Sequence, residues 1–169
     1  MAVKIHNFKD SLKLGNKAEQ DWMDLFLQKH PQYELFKTDG RSHDFIIMSA
    51  FGPFTLELKC DSYDMTKTEN VFMERYSSYE KKTVGGPWQA QSKGVDLYCY
   101  YFAKQQVMLT ANVNKLIIAL EELKLNEKDL IPIFNQGYVT KGWKVKRSDL
   151  YEKGIITYCY LNDAHTGLR

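Results

Sequence analysis

Residues 44–59 do most to limit what this chain can fold into. Two strand-like runs, 44–48 and 54–59, flank Ser49-Ala50-Phe51-Gly52-Pro53. Ile, Thr and Phe suit a pleated, half-buried surface, and the Gly-Pro pair punctuates it. A hairpin centred between Ala50 and Phe51 pairs Met48 with Pro53, Ile46 with Thr55 and Asp44 with Glu57. Directly opposed residues in an antiparallel pair have Cβ atoms about 5 Å apart. Side chains alternate along a strand, so Glu57 and Lys59 share one face, and this register brings Asp44 to it. Two carboxylates and one ammonium are thereby gathered into a small area.

The flanking sequence supplies helices and further strands. Residues 15–30 place Trp22, Met23, Leu25, Phe26 and Leu27 on a broad apolar arc, with Gly15 or Asn16 as cap and Pro31 as stop. Glu19 falls inside that arc, where a carboxylate is costly unless it is paired or binds a cation. Residues 33–37 read as a strand, 38–42 as a turn and 70–77 as a strand. A loop over 79–87 holds Lys81, Lys82, Gly85 and Gly86, and a short helix over 88–94 follows. Residues 96–102 and 106–109 form a predicted hairpin. Val113, Leu116, Ile117, Leu120 and Leu123 then repeat at helical spacing. Beyond Ile131 come β-like runs at 137–145 and 155–161. With 169 residues and no repeat or linker, the pattern predicts one α/β or α+β layered domain.

Composition excludes several classes. Hydrophobic residues at 44 % and charged residues at 26 % support a packed core and argue against disorder. A net charge of +2 means that any nucleic-acid contact must use a local patch. Cys60, Cys99 and Cys159 are too few and too widely spaced for a structural zinc site, and their odd number argues against a disulfide framework. They read as buried thiols in a reducing compartment. His6, His30, His43 and His165 show no metal-ligand spacing. The absence of an apolar leader over residues 1–13 and of any long apolar run leads us to expect an intracellular protein with no membrane partner.

The hairpin carries the chemistry. Two adjacent carboxylates repel, which raises the pKa of one of them, and a hard divalent cation such as Mg²⁺, or Mn²⁺ in its place, relieves the repulsion. A neighbouring lysine can orient or deprotonate water and offset charge on a phosphoryl transition state. Glu-x-Lys also occurs at Glu80–Lys82 and Glu122–Lys124, but only Glu57–Lys59 lies on a strand that follows an Asp-bearing strand. The alternative for these three residues is a surface cross-strand ion pair.

Asp44, a short hairpin and Glu57-Leu58-Lys59 together resemble the PD-(D/E)XK nuclease superfamily. The likeness extends over about residues 15–123 and includes an N-terminal helix with an inward Glu19, and a strand, Gly-rich loop and short helix after Lys59. His43 departs from it, because the family often has proline before the aspartate. The resemblance implies a restriction-endonuclease-like fold, a central mixed β-sheet flanked by helices, with residues 124–169 as a C-terminal extension. It implies that Asp44, Glu57 and the Leu58 main-chain carbonyl hold Mg²⁺, that Lys59 is the catalytic lysine, and that Glu19 assists. It also implies a Gln or Lys near the site on the short helix, with Gln89, Gln91 and Lys93 as candidates. The expected activity is hydrolysis of DNA phosphodiesters through a metal-activated water, as an endonuclease rather than an exonuclease, in a bacterial or phage-infected cell. A homodimer would supply two sites for two strands.

Lys81, Lys82 and Lys93, with the run Lys141, Lys144, Lys146 and Arg147 around Trp143, are candidate DNA contacts, because basic groups interleaved with aromatics suit phosphates and bases. Glu74 is placed beside the lysine strand, within reach of the site. Two rival readings stay open: a non-catalytic DNA-binding protein on the same fold, and an interaction module that binds a protein through its aromatic sheet.

Overall fold

The computed structural model of the chain describes residues 8–162, with side chains from residue 13 onward, so His6, His165 and most of the leader region lie outside it. Helix α1 (Phe8–Lys29) opens the described chain, followed by β1 (Glu34–Lys37), β2 (Phe45–Ser49) and β3 (Gly52–Asp61). Next come β4 (Asn70–Ser78), β5 (Thr83–Val84), α2 (Gly86–Ser92), β6 (Leu97–Phe102), β7 (Val107–Asn112) and α3 (Val113–Glu122). A 3-10 turn (Glu127–Asp129), β8 (Ile131–Asn135), β9 (Tyr138–Lys146), α4 (Arg147–Glu152) and β10 (Ile156–Tyr160) complete it. No helix among the described residues is long and apolar enough to cross a membrane.

Six strands form an open mixed sheet in the order β1-β2-β3-β6-β7-β10. Only β3 and β6 run parallel; the other neighbours are antiparallel. The β2–β3 register pairs Met48 with Pro53 and Ile46 with Thr55, as the hairpin pattern predicts. Ser49 pairs with Gly52 and closes a two-residue loop, whose Phe51 is 95 % exposed. Ser49 Oγ donates to the Gly52 carbonyl at 2.9 Å and accepts the Phe51 N–H at 3.1 Å. Across the parallel pair, Asp96 Oδ2 accepts both the N–H and the hydroxyl of Thr55 at 2.8 Å, locking β3 against the start of β6.

Each face of this sheet has its own core. On one face Trp22 and Phe26 of α1 pack on Phe45, Ile47, Leu56, Leu58, Cys99, Tyr101 and Met108. The Trp22 indole donates to Met108 Sδ at 3.2 Å and stacks on Phe26 at 5.1 Å. On the other face Tyr98, Tyr100, Phe102, Leu109 and Ala111 meet Leu116 and Leu120 of α3, Val71 and Met73 of β4, and Trp143 and Val145 of β9. Alternation along β6 sends Tyr98 and Tyr100 one way and Cys99 and Tyr101 the other. Those three tyrosines are core residues, which removes the aromatic sheet as a docking surface.

Several expectations need correction. Gly15 and Asn16 are interior to α1 rather than capping it, because the helix begins at Phe8. One interior glycine costs only about 1 kcal/mol relative to alanine, less than burial of the Trp22 and Phe26 side chains returns. The second face is not covered by helices alone: β5-β4-β9-β8 form a four-stranded antiparallel sheet. β4 therefore does not neighbour β3. Residues after 123 are no appended extension, since β9 pairs along β4 and β10 closes the edge of the main sheet on β7. A local reading of strand patterns cannot see such pairings, because partners far apart in sequence are chosen by which faces must be buried.

Trp22 fills the α1 core with no exposed surface. Trp22→Ala should cost about 3–5 kcal/mol of unfolding free energy, measured by urea denaturation with an unchanged m-value.

Candidate active site

Asp44 directly precedes β2. Its N–H donates to the Leu56 carbonyl at 3.0 Å, and its carbonyl accepts the Thr38 N–H at 2.9 Å, which holds it at the head of the hairpin. The 38–43 turn curls back over it. Thr38 Oγ1 donates to the His43 carbonyl, and Gly40 turns the chain at φ +72°. Only glycine adopts that left-handed backbone freely. The side chain is aimed by one further bond, in which Asp44 Oδ2 accepts the Leu58 N–H at 2.8 Å. The Leu58 side chain turns into the α1 core, so only its main chain faces the acid.

The β2–β3 pairing ends at Phe45 with Leu56, and Glu57 follows directly on β3, close enough to Asp44 for the two acids to act on each other. Burial pushes its carboxyl up from the ordinary 4.5 to about 7, and the neighbouring Asp44 adds to the shift, while Lys93 and then Lys59 oppose it. Burial also raises Asp44, against the pull of the Leu58 N–H, and Glu19 adds to the rise. Neither carboxylate forms a salt bridge among the described residues. Two acids without a salt-bridge partner thus share a sheltered place, where their ionised forms are disfavoured, an arrangement found at functional sites more than in structural ion pairs. No group of three or more His, Cys, Asp or Glu side chains among the described residues is poised to hold a metal ion. Two carboxylates with main-chain oxygen nearby still suit Mg²⁺, which keeps several waters of its own.

The remaining candidates divide. Lys59 is half-buried, with its ammonium 3.8 Å from Glu74 Oε2. Lys93, the C-cap of α2, lies near enough to both Asp44 and Glu57 to oppose the rise of their carboxyls. Glu19 lies near enough to raise Asp44, Glu57 and Cys60, but its carboxylate is bonded to Lys37 Nζ at 2.8 Å. The Cys60 thiol, pushed up to about 12 by burial and then by Glu19 and Asp44, is no nucleophile at neutral pH. His43 keeps Nδ1 on Ser42 Oγ at 2.9 Å and takes no part in the acid pair.

The basic candidates do not form one patch. Lys82 and Lys141 converge on the Tyr79 ring, their ammonium nitrogens 3.7 Å and 3.5 Å from its centroid. Lys81 is exposed in the turn beside them. Lys144 and Lys146 are exposed on the β9 face opposite Trp143 and Val145. Trp143 is buried, donating to the Asn126 carbonyl at 2.8 Å, so it cannot stack on a base. Arg147 leaves the basic run altogether: it is buried over Phe102 and donates to the carbonyls of Met65, Thr68 and Glu69. Lys37 and Glu74 are the charged neighbours of the site that the hairpin pattern does not include. The consecutive Gly85 and Gly86 signal a close backbone approach, but only the tertiary structure names Glu74 as what is approached.

No family model matches the chain, and no curated protein or solved structure matches it.

Glu57 gives the protein a signed pH dependence. A carboxyl raised from 4.5 to about 7 contributes stability that is fully present below about pH 4.5 and lost as pH rises through 7, because the unfolded chain ionises first. In metal-free buffer the wild type should therefore lose thermal stability relative to Glu57→Gln between pH 4.5 and 7, measured as the difference in Tm across that range.

Proposed function

We propose that this protein is a metal-dependent nuclease of restriction-endonuclease-like architecture that hydrolyses DNA phosphodiester bonds. The observation that carries this reading is the facing pair Asp44 and Glu57, both raised in pKa and lacking a salt bridge, beside two lysines. Burying two like charges without a partner is costly, and a site that holds them against that cost is built for a cation. The mixed sheet, with this hairpin beside a parallel strand, agrees with the resemblance in the motif.

Asp44, Glu57 and the Leu58 main-chain carbonyl would hold Mg²⁺. When bound, the ion supplies positive charge to the scissile phosphate and acidity to the attacking water. The chain's own groups do the rest. The Leu58 N–H keeps Asp44 in place, and the Lys59 ammonium orients the water and offsets charge that builds on the phosphoryl oxygens. Lys93 adds a second cation facing the same acids. Water attacks phosphorus and gives up a proton to solvent, the P–O bond to the leaving oxygen breaks, and that oxygen takes a proton from solvent. Lys82 with Lys141, and Lys144 with Lys146, would meet backbone phosphates away from the reacting centre.

A non-catalytic interaction module is the second reading. One observation favours it: Phe36, Met48 and Phe51 are exposed around the β1–β2–β3 edge. Such a module would show no salt-dependent retention on DNA.

The deciding experiment is cleavage of plasmid, linear, single-stranded and branched DNA with Mg²⁺ or Mn²⁺, with EDTA and Glu57→Ala as controls. Asp44→Ala and Glu57→Ala should abolish cutting with folding retained. Lys59→Ala should lose at least about 100-fold in rate while still binding Mn²⁺ by calorimetry. Absence of both cutting and Mn²⁺ binding in the wild type would return the acids to an ordinary charge cluster. In a separate binding assay, Lys141→Glu, Lys144→Glu and Lys146→Glu combined should weaken DNA binding and flatten its dependence on salt, and unchanged binding removes these lysines from the interface.

A further inference from the structure

Glu74 has no part in the scheme above, yet the chain is shaped around it. It lies on β4, in the second sheet, and reaches across to the main-sheet site, where its Oε2 is 3.8 Å from Lys59 Nζ. Its side chain is only 16 % exposed, against 44 % for Lys59. Two consecutive glycines close over it. A Cβ at Gly85 would collide with the Glu74 carboxylate, and one at Gly86 would stand 2.6 Å from the Glu74 carbonyl oxygen. Gly86 also has φ +50°, and the Gly85 N–H donates to the Arg75 carbonyl at 3.0 Å, which fastens the approach. Beneath lies Tyr98, which pairs with Glu57 across β3–β6 and whose buried hydroxyl has no hydrogen-bond partner among the described residues. An ion pair to a lysine this exposed contributes little stability, so stability does not explain why backbone and side chains are fitted this closely around one carboxylate.

The charges suggest what Glu74 does. Lys59 stands between two sources of negative charge, the Asp44–Glu57 pair and Glu74. Without Glu74 the ammonium would be drawn onto the acid pair and would neutralise the charge that a cation needs. We propose that Glu74 is the positioning residue of Lys59: held by the Gly85–Gly86 approach, its carboxylate keeps the lysine ammonium beside Glu57 without letting it collapse onto the acid pair. This rests on the nuclease reading for its kinetic consequence, but the pairing itself does not.

Two measurements test it. The first is the side-chain ammonium signal of Lys59 in ¹⁵N-labelled, metal-free protein at fixed pH, assigned with Lys59→Arg. Glu74→Gln and Gly85→Ala should both shift or broaden it, the second by displacing a carboxylate that keeps its charge. The second is single-turnover cleavage of plasmid DNA with Mg²⁺. Glu74→Gln should lower the rate constant about 10–100-fold with half-saturation by DNA unchanged within about twofold, and should cost nothing further in the Lys59→Ala protein. Glu74→Asp should recover part of the rate. An unchanged Lys59 signal in Glu74→Gln overturns the proposal, and so does an equal rate loss with and without Lys59, which would mean that Glu74 acts directly on substrate or cation. If the wild type does not cut DNA at all, the nuclease reading fails, and the Lys59 signal still decides whether Glu74 holds Lys59.

Discussion

Two carboxylates held side by side at the head of a hairpin repel each other, and that repulsion organises the charged residues of this protein. Asp44 stands just ahead of the β2–β3 ladder, tied to β3 by its N–H on the Leu56 carbonyl and by its carboxylate on the Leu58 N–H, which brackets Glu57. The chain answers with partial compensation: a main-chain N–H from Leu58 for Asp44, the Lys93 ammonium acting on both acids, Lys37 on Asp44 and Lys59 on Glu57. Glu19 and Glu74, which would add to the repulsion, are each matched with a lysine, Lys37 and Lys59. What remains without a salt bridge among the described residues is the central pair.

The hydrophobic layers pack the sheet around β3 from both faces. On one side Leu56 and Leu58 are gripped by Trp22 and Phe26 of α1, and on the other β6 continues into the core beneath α3 and the second sheet. The Thr55–Asp96 clamp fastens β3 to β6 two residues before Glu57. The side chains of Glu57 and Lys59 thus project from a strand in a sheet packed on both faces, paired along β6 where β2 has ended.

Much of the hairpin was legible beforehand because its determinants are local. Alternation over 44–48 and 54–59 and a short Gly-Pro-marked connection leave few registers, and the observed pairing is the expected one. The helix over Trp22 and Phe26, the strand with Tyr98 to Phe102 and the helix with Leu116 and Leu120 also declared themselves by periodicity. Local reading failed where charge and aromatic content were taken to imply exposure. Arg147 and Trp143 looked like members of a basic, aromatic binding run, but on β9 and α4 their neighbours in space are the Glu69, Met65 and Asn126 carbonyls, which take their donors. Lys93 was a candidate both for the site and for DNA contact, and α2 sets it where it acts on the two acids.

By itself the sequence determined which residues could share a strand face: Asp44, Glu57 and Lys59 follow from a period of two and a hairpin centred between Ala50 and Phe51, both properties of neighbouring residues. The tertiary structure decided what surrounds them. Glu74, on a strand of a different sheet, meets Lys59, and the Gly85–Gly86 turn closes on Glu74. Residues beyond 123, through β9 and β10, complete both sheets. Those contacts join segments whose sequence patterns are independent of one another. They arise because each sheet must bury a face and pair its strands, a requirement satisfied only when the whole chain has folded.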